Sequence, residues 1–208
     1  MIVCCVCITA NRPEFTAEAV DCFLKQDYPD RRLLVFDTSD QAPEHRQYSP
    51  ENGMFHWHEQ RRQDDTVGQL RNRANSLADA IFRPDLIAHW DSDDYSAPGR
   101  LSEQIARLKE SGKAATGYHS IQFTDGTSWW MYHGAPQFSL GTSLVYMTEW
   151  WSEHKFACVN VAVDNRLVDE AWHAGQLVTA HGGELMWARI HPGNTSKKTI
   201  ASNWERLS

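Results

Sequence analysis

The 208-residue chain is 41% hydrophobic and 23% charged, the balance of a soluble globular protein with one substantial core and at most two small domains. Its formal net charge of -7 argues against a non-specific nucleic-acid binder, which needs a basic surface to neutralise phosphates. No apolar run is long enough to span a bilayer, and residues 2–10, with no basic residue before them and Asn11-Arg12-Pro13 after them, read as a buried strand rather than a signal peptide.

In chain order, residues 2–9 form a continuous apolar run rich in β-branched residues and cysteine, as expected of a strand buried on both faces. Of the five cysteines, Cys4, Cys5 and Cys7 share this run, and Cys22 and Cys158 lie apart. The spacing suits neither a disulfide framework nor a zinc knuckle, and the odd count fits a reducing compartment, so a cytoplasmic location is expected. Residues 14–26 place Phe15, Ala19, Cys22 and Phe23 on one helical face. After the turn Tyr28-Pro29-Asp30 comes a short strand over 33–36 that ends at Asp37. Residues 41–52 are polar and aperiodic, a loop; 54–58 is a short strand. Residues 66–82 are the clearest helix, with Leu70, Ala74, Leu77, Ala78 and Ile81 as its apolar stripe, Asp65 or Thr66 as cap and Pro84 after its end. A strand over 86–90 runs into Asp91-Ser92-Asp93-Asp94, and a helix after Pro98 buries Leu101, Ile105 and Leu108.

This strand–helix alternation predicts a mainly parallel sheet with helices on both faces and a ligand crevice beyond the carboxyl ends of its strands, where Asp37 and residues 91–94 would meet. The second half is less regular. Asp125-Gly126 between 114–123 and 128–132 signals a hairpin. A strand over 140–146, helices over 148–154 and 164–173 and a last strand over 185–190 complete a smaller antiparallel portion. No repeat, low-complexity tract or linker interrupts the chain, so a single domain over 1–208 is expected.

Three aspartates within four residues repel one another unless they are solvated, paired or bound to metal. An all-oxygen set suits Mn²⁺ or Mg²⁺ and leaves coordination positions for a substrate's phosphates. A helix-loop-helix calcium site fails, because the positions requiring an oxygen ligand, glycine and glutamate hold Tyr95, Ser96 and Ser102. His56 and His58 share a strand face but lack the further ligands that zinc needs.

Four blocks in order resemble the inverting glycosyltransferases of family 2, which have the GT-A fold. They are residues 3–13 with the following helix and Gln26-Asp27-Tyr28-Pro29; Leu34-Val35-Phe36-Asp37; Gly68 with Arg71-Asn72-Arg73-Ala74; and His89-Trp90-Asp91-Ser92-Asp93-Asp94. The resemblance implies transfer of a sugar from a nucleotide-diphosphate sugar to a hydroxyl acceptor, with a nucleotide-sugar-binding half over about 1–110 and an acceptor-binding half with the tail over about 111–208. Thr9, Asn11, Arg12, Asp37, Arg71, Asp91 and Asp93 would meet the donor, favoured as a UDP-sugar, although Thr38 stands where the family has a second acid or amide beside Asp37. Asp94 would be the principal metal ligand, with Asp93 and His191 beside it. Asp164, at a helix start in Val161-Ala162-Val163-Asp164-Asn165, would be the general base. Gly141 and Thr142, in a small-residue strand, would lie near an acceptor such as a glycan or glycoconjugate, and Trp130 would offer an aromatic platform for its sugar rings. His191-Pro192-Gly193-Asn194-Thr195-Ser196 resembles a late segment of part of the family, and Lys197 and Lys198 follow it. Two other functions stay open. A nucleotidyltransferase usually carries a Gly-rich loop where this chain has Ala10-Asn11-Arg12-Pro13-Glu14, and a non-catalytic nucleotide- or carbohydrate-binding module would need none of these acids.

Overall fold

In the computed structural model, which describes residues 1–41, 48, 52–194 and 198–207, the first apolar run is strand β1 (Val3–Thr9). It pairs in parallel with β2 (Arg31–Asp37) on one side and β4 (Leu86–His89) on the other, and β2 pairs in parallel with β3 (Met54–His58). Alternation along β1 sorts its side chains into two layers. Cys4 and Val6 pack with Leu70, Ala74 and Ala78 of helix α2 (Val67–Phe82). Val3, Cys5 and Cys7 pack on the other face with Ala19 and Phe23 of α1 (Pro13–Leu24) and with Leu101 and Ile105 of α3 (Arg100–Ser111). Cys4, Cys5, Cys7 and Cys22 are buried free thiols that act as small apolar core residues, and Cys158 is free and exposed.

The helix ends follow their local chemistry. Pro13 opens α1 with its φ already helical. Thr66 and Gln69 form a reciprocal capping box at the start of α2, so of the two cap candidates Thr66 takes the role. α3 begins at Arg100, two residues after Pro98, and stops at Gly112 with φ +65°, where a residue without a Cβ is unstrained. The loop over 41–52 lies outside the described residues except for Gln41, Tyr48 and Asn52.

The second half is organised on β6 (Ala115–Thr124), which forms the expected hairpin with β7 (Trp129–His133) through Gly126 at φ +90°. Strand β8 (Val145–Met147) pairs antiparallel with both β4 and β6 and joins the two halves into one sheet. Helices α4 (Thr148–Glu153) and α5 (Asn165–His173) follow. Strands β9 (Leu177–His181) and β10 (Met186–Arg189) run parallel to β6. β10 also pairs with the two-residue β5 (Tyr95–Ser96), and β11 (Trp204–Leu207) pairs with β7. The result is one mixed α/β domain with a largely parallel central part.

Four differences from the sequence reading have physical causes. The strand expected over 140–146 is a strand only at its end; Gly141–Ser143 is a tight 3-10 turn. Its carbonyls bond to side chains instead of a ladder: Gly141 accepts from His89, Thr142 from Arg100 and Ser143 from Gln104. β5 is too short to show a period, β9 has no marked alternation of buried and exposed residues, and β11 is a charged edge strand with no fully buried residue.

Candidate active site

The carboxyl ends of β1, β2 and β4 lie at the same edge of the sheet, because parallel pairing puts Thr9 beside Asp37 and Val6 beside His89. A cavity of about 270 Å³ opens there. Thr9, Arg12, Arg71, Asp91, Asp93, Asp94, Gly141, Thr142 and Asp164 all line it, although they span most of the chain.

The three aspartates divide their partners. Asp91 accepts from Arg71 Nη2 at 3.2 Å. Burial works against its charge, but Arg71 and the hydrogen bonds outweigh burial and hold its carboxyl below the usual range. Asp93 is clasped by Arg12 Nη1 at 2.7 Å and lies 2.9 Å from His191 Nε2. Asp94 accepts from the Thr142 hydroxyl and from the backbone N–H of Arg189, and it has no cationic side-chain partner among the described residues. Burial first, then the charges of Asp93 and Asp91, push it up to about 8. A carboxyl in that state gains from a nearby cation.

Among the described residues no three His, Cys, Asp or Glu side chains are gathered in a ready-made metal cluster. Asp94 and Asp93 fit a hard divalent ion as a partial oxygen set, and His191 reaches the same Asp93 carboxylate. His56 and His58 are committed elsewhere: His56 to Asp37 at 3.3 Å and His58 to the Ser39 carbonyl at 2.9 Å.

Across the cavity, Asp164 lies just before α5. The loop that carries it is tied to the first turn of α2. Gly68 N–H donates to the Val159 carbonyl and Val67 N–H to Asn160 Oδ1, so amides that a helix start leaves without partners become anchors. A Cβ on Gly68 would fall 1.8 Å from the Ala157 carbonyl oxygen, so only glycine permits this contact. Gly141 is equally close-packed: a Cβ there would meet Asp164 Oδ2 at 1.8 Å. Burial raises Asp164 above the usual carboxylate range, with Arg71 offsetting part of the effect. Arg71 Nε stands 3.7 Å from Asp164 Oδ1, and both atoms are buried with no hydrogen-bond partner among the described residues. Burial disfavours the Arg71 charge, but Asp91 and Asp164 outweigh it and keep the guanidinium protonated.

The remaining sequence candidates lie at the margins. Asn11, at φ +52°, stitches the first two loops together through Ser39 and Asp40 and does not line the cavity. Asp37 is engaged by His56 and by the Ser39 N–H and hydroxyl, and Thr38 lines the wall instead. Burial opposes the Asp37 charge, and those bonds more than offset it, lowering its pKa. His191 does not itself line the cavity but meets two residues that do, Asp93 and Asn194, while Lys198 lines it. Trp130, on β7 opposite Phe123 and Arg206, is not among the lining residues. Lys197, Thr195 and Ser196 lie outside the described residues.

Several contributors escaped the sequence reading. Arg189 brings a backbone amide to Asp94 and its guanidinium to Glu18. Arg100 is fully buried, donating to the His89 and Thr142 carbonyls and to Ser96 Oγ beneath the acidic loop. An arginine in the first turn of a helix opposes the helix dipole, and that anomaly was the available signal. His89 is 1% exposed in the middle of a polar chain behind Gly141.

Solved structures share this architecture at low identity. S. aureus TarS 1-349 in complex with UDP-GlcNAc superposes with a TM-score of 0.72 at 16% identity, covering 96% of this chain and 62% of that one. A second crystal structure of S. aureus TarS 1-349 gives 0.68 at 16%, covering 91% and 61%. The mannosyltransferase PcManGT from Pyrobaculum calidifontis, in complex with GDP-Man and Mn²⁺, gives 0.67 at 13%, covering 93% and 58%. The chain thus spans about three fifths of the length of each. No curated protein matches it. The sequence profile of glycosyl transferase family 2 matches residues 4–172, with the acidic loop and Asp164 inside the match. On that match and the shared GT-A fold, the chain belongs to glycosyl transferase family 2.

Proposed function

We propose that this chain transfers a sugar, with inversion, from a nucleotide-diphosphate sugar to a hydroxyl of a glycan or glycoconjugate. The observation that carries the reading is the facing arrangement in one cavity: an acidic loop with a cation-seeking carboxyl on one wall and a carboxylate of raised pKa on the other, with Arg71 between them. Asp94 and Asp93 would hold Mn²⁺ or Mg²⁺, with His191 completing or supporting the set. Bound there, such an ion would neutralise charge developing on the leaving diphosphate.

The chain's own groups divide the remaining work. Asp164 accepts the proton of the acceptor hydroxyl, and burial, partly offset by Arg71, makes its carboxylate more basic than an exposed one. Arg71 stays charged and orients Asp164 and Asp91 from one guanidinium. Arg12 and Lys198 add positive charge to the cavity wall where a diphosphate would lie. Gly141 and Thr142 frame the acceptor side. Thr9 and Thr38 border the nucleoside side, with Asp37 behind Thr38. Because Asp37 already spends its oxygens on His56 and Ser39, UDP- and GDP-sugars are both first donors to try.

The test is a thermal-shift titration with UDP, GDP, UDP-GlcNAc and GDP-mannose, with and without Mn²⁺. Binding at a hundredfold excess over Kd stabilises the native state by about 2.7 kcal/mol. At least one nucleotide should stabilise the wild type in a Mn²⁺-dependent way, and Asp94→Ala should lose that dependence. Equal, metal-independent binding by wild type and Asp94→Ala would overturn the metal-dependent transferase reading.

A further inference from the structure

His89 ends β4, two residues before the acidic loop, and is buried behind the cavity wall without lining it. Its Nδ1 lies 2.6 Å from the Gly141 carbonyl oxygen and its Nε2 3.1 Å from the Tyr146 hydroxyl. Tyr146 in turn lies 2.8 Å from Asn75 Nδ2 of α2. The polarity of this chain is fixed from one end. A carbonyl only accepts, so Nδ1 carries the proton. Nε2 of a neutral ring then accepts, so the tyrosine hydroxyl donates to it and receives from the Asn75 amide. Each buried polar group is satisfied in that one arrangement.

Gly141, the residue so held, touches the Asp164 carboxylate closely enough to exclude any side chain of its own. Asp164 Oδ1 itself stands 3.8 Å from His89 Nδ1, beyond hydrogen-bond reach, so the ring acts on the acid through the Gly141 backbone. Resting on the transferase reading above, we infer that His89 is a positioning residue for the proposed base: a neutral imidazole locked in its Nδ1–H form by Asn75 and Tyr146, which pins the Gly141 carbonyl and so fixes the floor against which Asp164 stands. Burial, followed by the Arg71 charge, pushes the ring's pKa well below its ordinary value, in keeping with a group that does not take up protons itself.

Two asparagine-type substitutions separate the ring's two nitrogens. His89→Asn keeps a donor near the Nδ1 position and drops the Tyr146 contact; His89→Gln keeps a group near the Nε2 position and drops the Gly141 contact. The assay is Mn²⁺-dependent hydrolysis of UDP-GlcNAc or GDP-mannose, with UDP or GDP binding measured alongside. His89→Gln should lower kcat about 100-fold, the scale of an ångström misplacement of a catalytic group, with nucleotide binding and donor KM unchanged, while His89→Asn stays within about 5-fold. Independently of any variant, long-range ¹H–¹⁵N spectra of the wild type should show the Nδ1–H tautomer from pH 5 to 8. Equal losses in the two variants, or an Nε2–H ring, would overturn this inference and leave the transferase reading standing. A wild type that neither binds nor hydrolyses any of these nucleotides overturns both.

Discussion

The two walls of the cavity are built by different means. The proposed donor wall comes from the ends of parallel strands: β1, β2 and β4 are buried on both faces, and each delivers its last residue to the same edge. Its position is set by main-chain pairing, with the acids added in the loop beyond. The opposite wall has no such scaffold. Gly141, Thr142 and Asp164 lie on a tight turn and before a short helix, and polar groups of the first half hold them: the side chains of His89 and Arg100 on the turn, the opening backbone amides of α2 on the loop before Asp164. The first wall is thus fixed by strand register, while the second is fixed by polar contacts that single substitutions can remove.

Three experiments probe that contrast, in order of expected effect. Asp164→Asn removes the proposed proton acceptor while leaving its volume, and should lower kcat by about 10²–10⁴-fold with Mn²⁺-dependent nucleotide binding intact. Loss of nucleotide binding along with kcat would place Asp164 on the donor wall instead. Gly141→Ala forces a methyl to within 1.8 Å of Asp164 Oδ2, so the turn or the acid must move. It should cost about 1–3 kcal/mol of stability and most of the turnover, read by denaturant melts and steady-state kinetics. A fully active alanine variant would show that the second wall is as firmly fixed as the first.

The third concerns the donor wall alone. Asp94 has its folded pKa raised to about 8, against an ordinary carboxylate value near 4 when unfolded. The native state therefore holds a proton that the unfolded chain has released. The metal-free protein has the associated stability in full below about pH 4 and loses it as pH rises through about 8. Melting temperatures without metal should decline over that window, Mn²⁺ should restore them at the alkaline end, and Asp94→Asn should flatten the decline. A flat wild-type profile would mean that Asp94 is ionised and satisfied without a cation.

The two walls also differed in how legible they were. The apolar run of β1, the stripe of α2 and the Asp91–Asp94 loop are local patterns, and the order of strands and helices brought Thr9, Arg71 and the acids to one edge. Asp164 stood out because its helix start is itself a local pattern. The 3-10 turn at Gly141 was not readable, since its carbonyls are taken by His89, Arg100 and Gln104, 39 to 52 positions away from their partners. Arg100 carries only the weak signal of a cation in a first helical turn and His89 none, and their burial with polar partners appears only in three dimensions. Trp130 shows the converse: a bulky aromatic in sequence gives no information on which side of a hairpin faces the cavity.

The shortest strand in the middle of the sheet has a consequence for how this protein tolerates insertions. β8 is three residues long and lies between β4 and β6, with Val145 pointing into one layer of the core and Tyr146 into the other. Extra residues in the hairpin tip at Gly126 would lengthen an exposed loop and nothing else. A single extra residue within β8 would exchange the two side chains between layers, carrying the tyrosine hydroxyl to the opposite face of the sheet from His89. The three-residue seam that closes the sheet is therefore also its least editable stretch, because the thread that joins the halves carries one end of the polar chain behind the proposed base.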